Sequence, residues 1–330
     1  MERTQNHKGG CKYMEDNSMC IGIDIGYGFT KVHSDYKNDS FPTAVSAVSR
    51  DREFSYMTPI NVNGNDFIVG EDAETYGRVM DTRTSSFVAS DPWMAVLTYA
   101  LNSHSFRNGT IVLGLPPGMY SQQYGQAIRQ AMKNAAVHIN GMEMQYRING
   151  NVKIIPQGAG IYFSHIKDNP EDAYKNVAVV DCGHETLDFA LFSKNKYIES
   201  VTGSEQLGIS VAIDEIRSEF YKRYHFQIKP MAARTALIKG NDEINHLNKG
   251  YPFDIKKCLA GYAMQVSAAI DRFIESLPVT PDVAIVGGGP AEIIKKHIAT
   301  VHNITAVADP MMANAVGYWY YGTRTSVAEG

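Results

Sequence analysis

The chain has 330 residues, 44% of them hydrophobic and 20% charged, with a formal net charge of −4. This is globular composition with length for two domains of usual size, and no Lys/Arg cluster occurs that would neutralise several phosphates, so direct binding to nucleic acid is not expected. No apolar run approaches the ~20 residues that span a bilayer, so a membrane partner is not expected either.

Residues 1–18 are polar and lack the apolar region of a signal peptide. They read as a tail ahead of the first strand, with Met14 and Met19 as alternative starts. The cysteines, Cys11, Cys20, Cys182 and Cys258, include no Cys-x-x-Cys pair. That pattern predicts free thiols and a cytoplasmic protein.

The first half alternates short strand-like and helical runs. "CIGID" and "FTKVHSD" are strands on either side of a turn carrying Gly26 and Gly28. "INVNGNDFIVGEDA" reads as a hairpin around Asn63-Gly64, because that dipeptide favours the turn whose twist matches the flanking strands. "PWMAVLTYALN" has helical spacing, "GTIVLGLP" is a buried strand, and "YSQQYGQAIRQAMKNAA" is a helix with apolar positions three and four apart. "MQYRINGNVKIIP" predicts a second hairpin, around Asn149-Gly150, and "AGIYFSHI" opens another helix.

After the polar link "DNPEDAYKN" the pattern restarts with "VAVVDCGHETLDFALFS". Asp24, one residue, Gly26, a turn and a strand are answered by Asp181, one residue, Gly183, a turn and a strand, 157 residues later. Such a duplicated unit predicts two related domains, each presenting an acidic turn to a common cleft. The second half continues with helices at "GISVAIDEIRSEFYKRY", "PMAARTALIK" and "DIKKCLAGYAMQVSAAIDRFIESL". "DVAIVGGGPAEIIKKHI" is a strand opening through three glycines into a helix, "ITAVAD" a last strand, and "PMMANAVGYWYYG" an apolar helix with Pro310 in its first turn.

The two turns suit a phosphorylated ligand. Gly26 and Gly28 permit positive φ and leave backbone N–H groups exposed, as an anion-binding concavity requires. Asp24 and Asp181 are hard oxygen ligands fitted to Mg²⁺ that keeps most of its water, and Lys31 lies within reach of a β- or γ-phosphate. Gly287, Gly288 and Gly289 stand between strand and helix, where an adenosine can press on the backbone. Gln157, between a strand and a helix, is fitted to orient a water without taking its proton. The plainer alternatives are glycine-rich hairpins whose aspartates cap turns, and a polar residue at a helix start.

Other motifs fail. No Gly-Lys-Ser/Thr occurs, the third glycine of the dinucleotide fingerprint is missing after Gly28, and "HETLD" has Asp188 where a zinc motif needs its second histidine.

Taken together these segments resemble the actin superfamily. "IGIDIGYGFTK" looks like its first phosphate motif, "VVDCGHETLDFAL" its second, "PQGAGIY" and "PMMANAVGYWYYG" its two connecting motifs, and "AIVGGGPAEI" its adenosine motif, all in the family's order. Within it, "DIGYG.TK", "IVLGLPPGMYSQQYG" and the compact length look most like the ParM/StbA plasmid-segregation proteins.

The resemblance implies an α/β fold of two ribonuclease-H-like domains flanking a nucleotide cleft: 19–170 with 311–330, and 171–310. It implies ATP, with GTP tolerated, and Mg²⁺ held through water by Asp24 and Asp181. Phosphates would lie in the turns of Gly26, Tyr27, Gly28, Phe29 and Thr30 and of Gly183, His184, Glu185 and Thr186, with Lys31. Gln157 and Asp181 would serve hydrolysis, and Gly287, Gly288 and Gly289 the adenosine. It further implies ATP-driven filaments, with hydrolysis destabilising the polymer and a DNA-binding adaptor protein at the filament end. A non-polymerising switch and a small-molecule kinase are the alternatives on this scaffold. Tyr27, His184 and Glu185 depart from the usual small residues, and Glu185 beside a triphosphate would be repulsive unless turned away.

Overall fold

A computed structural model describes residues 19–48, 57–139, 142–143, 151–240, 242–300 and 302–327. The N-terminal tail with Cys11, and the predicted Asn149-Gly150 hairpin, lie outside the described residues.

The first sheet is built around Cys20–Ile25, buried along nearly its whole length, as a central strand must be. It pairs antiparallel with Phe29–Ser34, which pairs antiparallel with Lys37–Pro42. On its other side lies Thr110–Leu115, parallel, and then Val152–Pro156, parallel again. Phe29–Ser34 alternates half-buried and buried residues, so one face meets the core and the other is wetter.

The second sheet repeats this order. Asn176–Cys182 is central, Leu187–Ser193 and Lys196–Tyr197 follow antiparallel, and Val283–Gly287 and Thr305–Ala306 lie parallel on the other side. The restart in the sequence is therefore a repeated topology. The register repeats too: Asp24 faces Lys31 in the first hairpin, and Asp181 faces Asp188 in the second.

A smaller antiparallel sheet is attached to the first half and contains the predicted Asn63-Gly64 hairpin, with both turn residues at positive φ. Helices Asp91–Ser103, Gln122–Asn134 and Ile255–Ser276 start on Ser90, Ser121 and Asp254, whose side chains accept from backbone N–H groups of the first turn. The "GGGP" segment leads into a helix of one turn, Ala291–Ile294. The closing helix differs from expectation. It runs Ala313–Val327, because Pro310 stays in a turn where its carbonyl accepts from the Gly288 N–H at 2.8 Å.

Each half has its own apolar core. A third core joins them: Cys20 and Val112 from the first sheet, Val177, Val179 and Ile285 from the second, and Tyr162 and Tyr318 from two helices between. Those helices, Ala159–Asp168 and Ala313–Val327, cross at glycines. A Cβ on Gly317 would lie 1.8 Å from the Gly160 carbonyl oxygen, so bare backbones alone permit this approach. No described helix is long and apolar enough to cross a membrane.

Candidate functional site

The central strands of both sheets end at one cleft of about 630 Å³, which is where parallel-sheet edges usually bind ligands. Asp24 stands at the end of the first strand, only 3% exposed. Lys31 Nζ lies 3.0 Å from its Oδ2, and Gln157 Nε2 donates to its Oδ1 at 3.2 Å. Across the cleft Asp181 is equally buried, and Asn314 Nδ2 donates to its Oδ2 at 2.7 Å. Burial, reinforced by the charges of Asp188 and Asp24, pushes the Asp181 carboxyl up to about 7. Asp188 is raised mainly by burial, and Thr186 Oγ1 donates to its Oδ2 at 2.8 Å.

The two turns close alike. Gly26 N–H donates to the Phe29 carbonyl at 3.2 Å, and Gly183 N–H to the Thr186 carbonyl at 2.9 Å. They also meet: a Cβ on Gly28 would stand 2.9 Å from the His184 ring. Burial lowers the His184 pKa against the opposing charge of Glu185, and the cations Arg234, Lys31 and Arg83 add to the lowering. Gly288, at φ +90°, passes so close to Asp181 that a Cβ would lie 2.6 Å from Oδ1.

Of the predicted site residues, Asp24, Gly26, Tyr27, Gly28, Phe29, Lys31, Gln157, Asp181, Gly183, His184, Thr186, Gly288 and Gly289 line this cleft. Three do not. The Thr30 side chain is buried against Thr43, with the hydroxyls 2.9 Å apart, because alternation turns it to the sheet's inner face. Gly287 faces the Ile161 side chain. Glu185 turns to the start of helix Ile209–Tyr224, where Ser210 Oγ donates to its Oε2 at 3.2 Å and the helix dipole favours its charge. Its Oε1 meanwhile stays 3.7 Å from the His184 Nε2.

Asp188, Asn314 and Arg234 are among the cleft residues that escaped the sequence reading. The 157-residue offset between Asp24 and Asp181 would have found two of them, since it carries Lys31 onto Asp188 and Gln157 onto Asn314. Arg234 had no such signal. Its guanidinium sits 4.8 Å from the Phe29 ring centroid, and its Nη2 donates to Glu74 Oε2 at 3.2 Å and Oε1 at 3.3 Å. This pair joins helix Pro230–Lys239 of the second half to helix Glu71–Tyr76 of the first.

The floor of the cleft is rich in acceptors. Three buried carboxylates, Asp24, Asp181 and Asp188, gather at the strand ends, and Lys31 is paired with Asp24. A bare phosphate would be repelled there, whereas a hydrated divalent cation fits both the charge and the hard oxygen donors. Among the described residues no group of three or more His, Cys, Asp or Glu side chains could hold a metal ion.

Residues 22–160 match the family described as actin like proteins N terminal domain. No curated protein matches the sequence. Among solved structures, the chain superposes on a 15-stranded ParM filament from Clostridium botulinum with a TM-score of 0.77 at 19% identity, covering 94% of this chain and 100% of that one. An archaeal actin homolog in complex with ADP gives 0.75 at 21%, covering 93% and 99%. ParM from Bacillus thuringiensis with AMPPNP gives 0.64 at 14%, covering 94% and 100%. The chain thus has the fold of the actin superfamily, which it shares with ParM and the archaeal actin homolog.

Proposed function

We propose that this actin-fold chain is a nucleotide-driven filament protein of the plasmid-segregation kind, acting in the cytoplasm. It binds Mg–ATP, or GTP, between a first domain of residues 19–170 with 311–330 and a second of 171–310. The observation that carries this reading is the pair of facing hairpins, each ending on a buried carboxylate beside a glycine turn. Nucleotides in similar structures, ADP in the archaeal homolog and AMPPNP in a ParM, support it.

In this reading the N–H groups of the two turns bind the phosphates, and Lys31 neutralises part of their charge. Gly288 and Gly289 pass beneath the nucleoside. Gln157, whose Nε2 is held by Asp24, presents its amide to orient a water. Magnesium, when bound, would shield the phosphate oxygens from Asp24 and Asp181. Subunits assemble with copies of themselves, and a DNA-binding adaptor protein couples the polymer to its cargo. The similarity to a ParM filament supports self-association.

Right-angle light scattering with Mg–ATP, Mg–ADP or EDTA, with phosphate release read in the same cuvette, tests this. Scattering should rise with ATP and decay as phosphate appears, and Asp181→Ala should prolong the plateau. Phosphate release with flat scattering over a wide protein range would instead indicate the switch or the small-molecule kinase.

A further inference from the structure

The repeat carries one more pair. Gln157 lies 133 residues after Asp24 and donates an amide N–H to it; Asn314 lies 133 residues after Asp181 and does the same. Gly160 and Gly317, where the two helices cross, obey the same 157-residue offset. Asn314 is therefore the second half's counterpart of Gln157, although it lies outside the family match at 22–160.

The two amides are not equivalent. Asn314 is 5% exposed and lines the cleft, and its Oδ1 is buried without a hydrogen-bond partner. With Asp181 ionised its orientation is fixed by chemistry, since turning the amide over would set its oxygen against that carboxylate. Its backbone is fixed by packing, because a Cβ on Gly160 would lie 2.6 Å from both its Cα and its carbonyl oxygen. A buried carbonyl without a partner costs free energy unless a ligand supplies the donor. Phosphate oxygens are acceptors and cannot do so. Water bound to a cation can.

We propose that Asn314 is a further positioning residue of the nucleotide site. Its N–H holds Asp181, and its Oδ1 accepts from a water in the hydration shell of a divalent cation. This rests on the nucleotide reading above. One side chain then links the cation to the closing helix and, through the glycine crossing, to the helix that follows Gln157.

The test is Mn²⁺ binding to the full chain with ADP at pH 8, followed by electron paramagnetic resonance, with ADP affinity in EDTA measured alongside. Asn314→Ala should weaken Mn²⁺ about three- to tenfold, the range of one hydrogen bond, and metal-free ADP binding less. Asn314→Asp is nearly isosteric, keeps an acceptor and adds charge, so it should bind Mn²⁺ as tightly as the parent or more so. If both variants loosen Mn²⁺ and metal-free ADP equally, Asn314 only supports packing and the proposal fails. If neither changes Mn²⁺ affinity while the parent binds Mn–ADP, the proposal fails and the nucleotide reading stands. If the parent binds neither ADP nor GDP, the nucleotide reading itself falls and the proposal with it.

Discussion

Replacing Gly317 with alanine sets two known effects against each other at the helix crossing. Its φ is not in the left-handed region, so alanine fits the backbone and helix propensity alone favours it by about 1 kcal/mol. Against this, the new Cβ would lie 1.8 Å from the Gly160 carbonyl oxygen and 2.5 Å from its carbon. Both are backbone atoms, so no side chain can swing aside, and relief requires the helices to separate by more than 1 Å. Overpacking of this kind costs about 1–3 kcal/mol. The same displacement strains the 2.7 Å bond from Asn314 to Asp181, worth about 1.5–3 kcal/mol because one partner is charged. The loss wins, by about 2–4 kcal/mol, which for a chain of this size lowers Tm by about 3–6 °C. Gly261 is the control: it also lies within a helix, but its Cβ would meet only the Glu215 carboxylate, at 3.9 Å and beyond. Gly261→Ala should therefore raise Tm by about 1–2 °C. Scanning calorimetry of both variants without nucleotide decides the matter. An unchanged or raised Tm for Gly317→Ala would refute the close crossing.

The remaining expectations concern charge. In the nucleotide-free protein the Asp181 carboxyl titrates near 7 against an ordinary 3.8. Between those values the folded state holds a proton that the unfolded state has released, so stability falls as pH rises through that window, by up to about 1.4 kcal/mol per pH unit. Asp181→Asn should flatten the dependence of the urea midpoint between pH 5 and 8; parallel curves for parent and variant would contradict the assignment. The Arg234–Glu74 pair spans the two halves at the cleft, with side chains 19% and 23% exposed. At that exposure it contributes about 0.2–1 kcal/mol, so Glu74→Gln should quicken release of a fluorescent ADP up to about fivefold, less at high salt. Salt-independent release at the parent's rate would show that the pair does not hold the cleft closed.

Much of the molecule was written locally in the chain. Apolar runs ending at Asp24 and Asp181 and the Asn63-Gly64 turn follow from periodicity or from turn chemistry over a few residues, and the 157-residue offset from setting the two runs side by side. They suffice for two repeated sheets and for two acidic turns. What remained hidden depends on atoms far apart in sequence. Thr30 and Gly287 sit in the right motifs yet face the sheet core and Ile161, because strand alternation and helix packing set where a side chain points. Glu185 is turned aside by Ser210, a residue of a helix it does not belong to. Arg234 reaches Glu74 across 160 residues, and no local pattern marks such a pair. The titration of Asp181 near neutrality is likewise a property of the assembled cleft, since Asp188 faces it across its own hairpin but the charge of Asp24 reaches it only from the other half. Sequence determined which groups could do chemistry; tertiary packing decided which of them face one another, because desolvation and Coulomb energy depend on distances that periodicity does not encode.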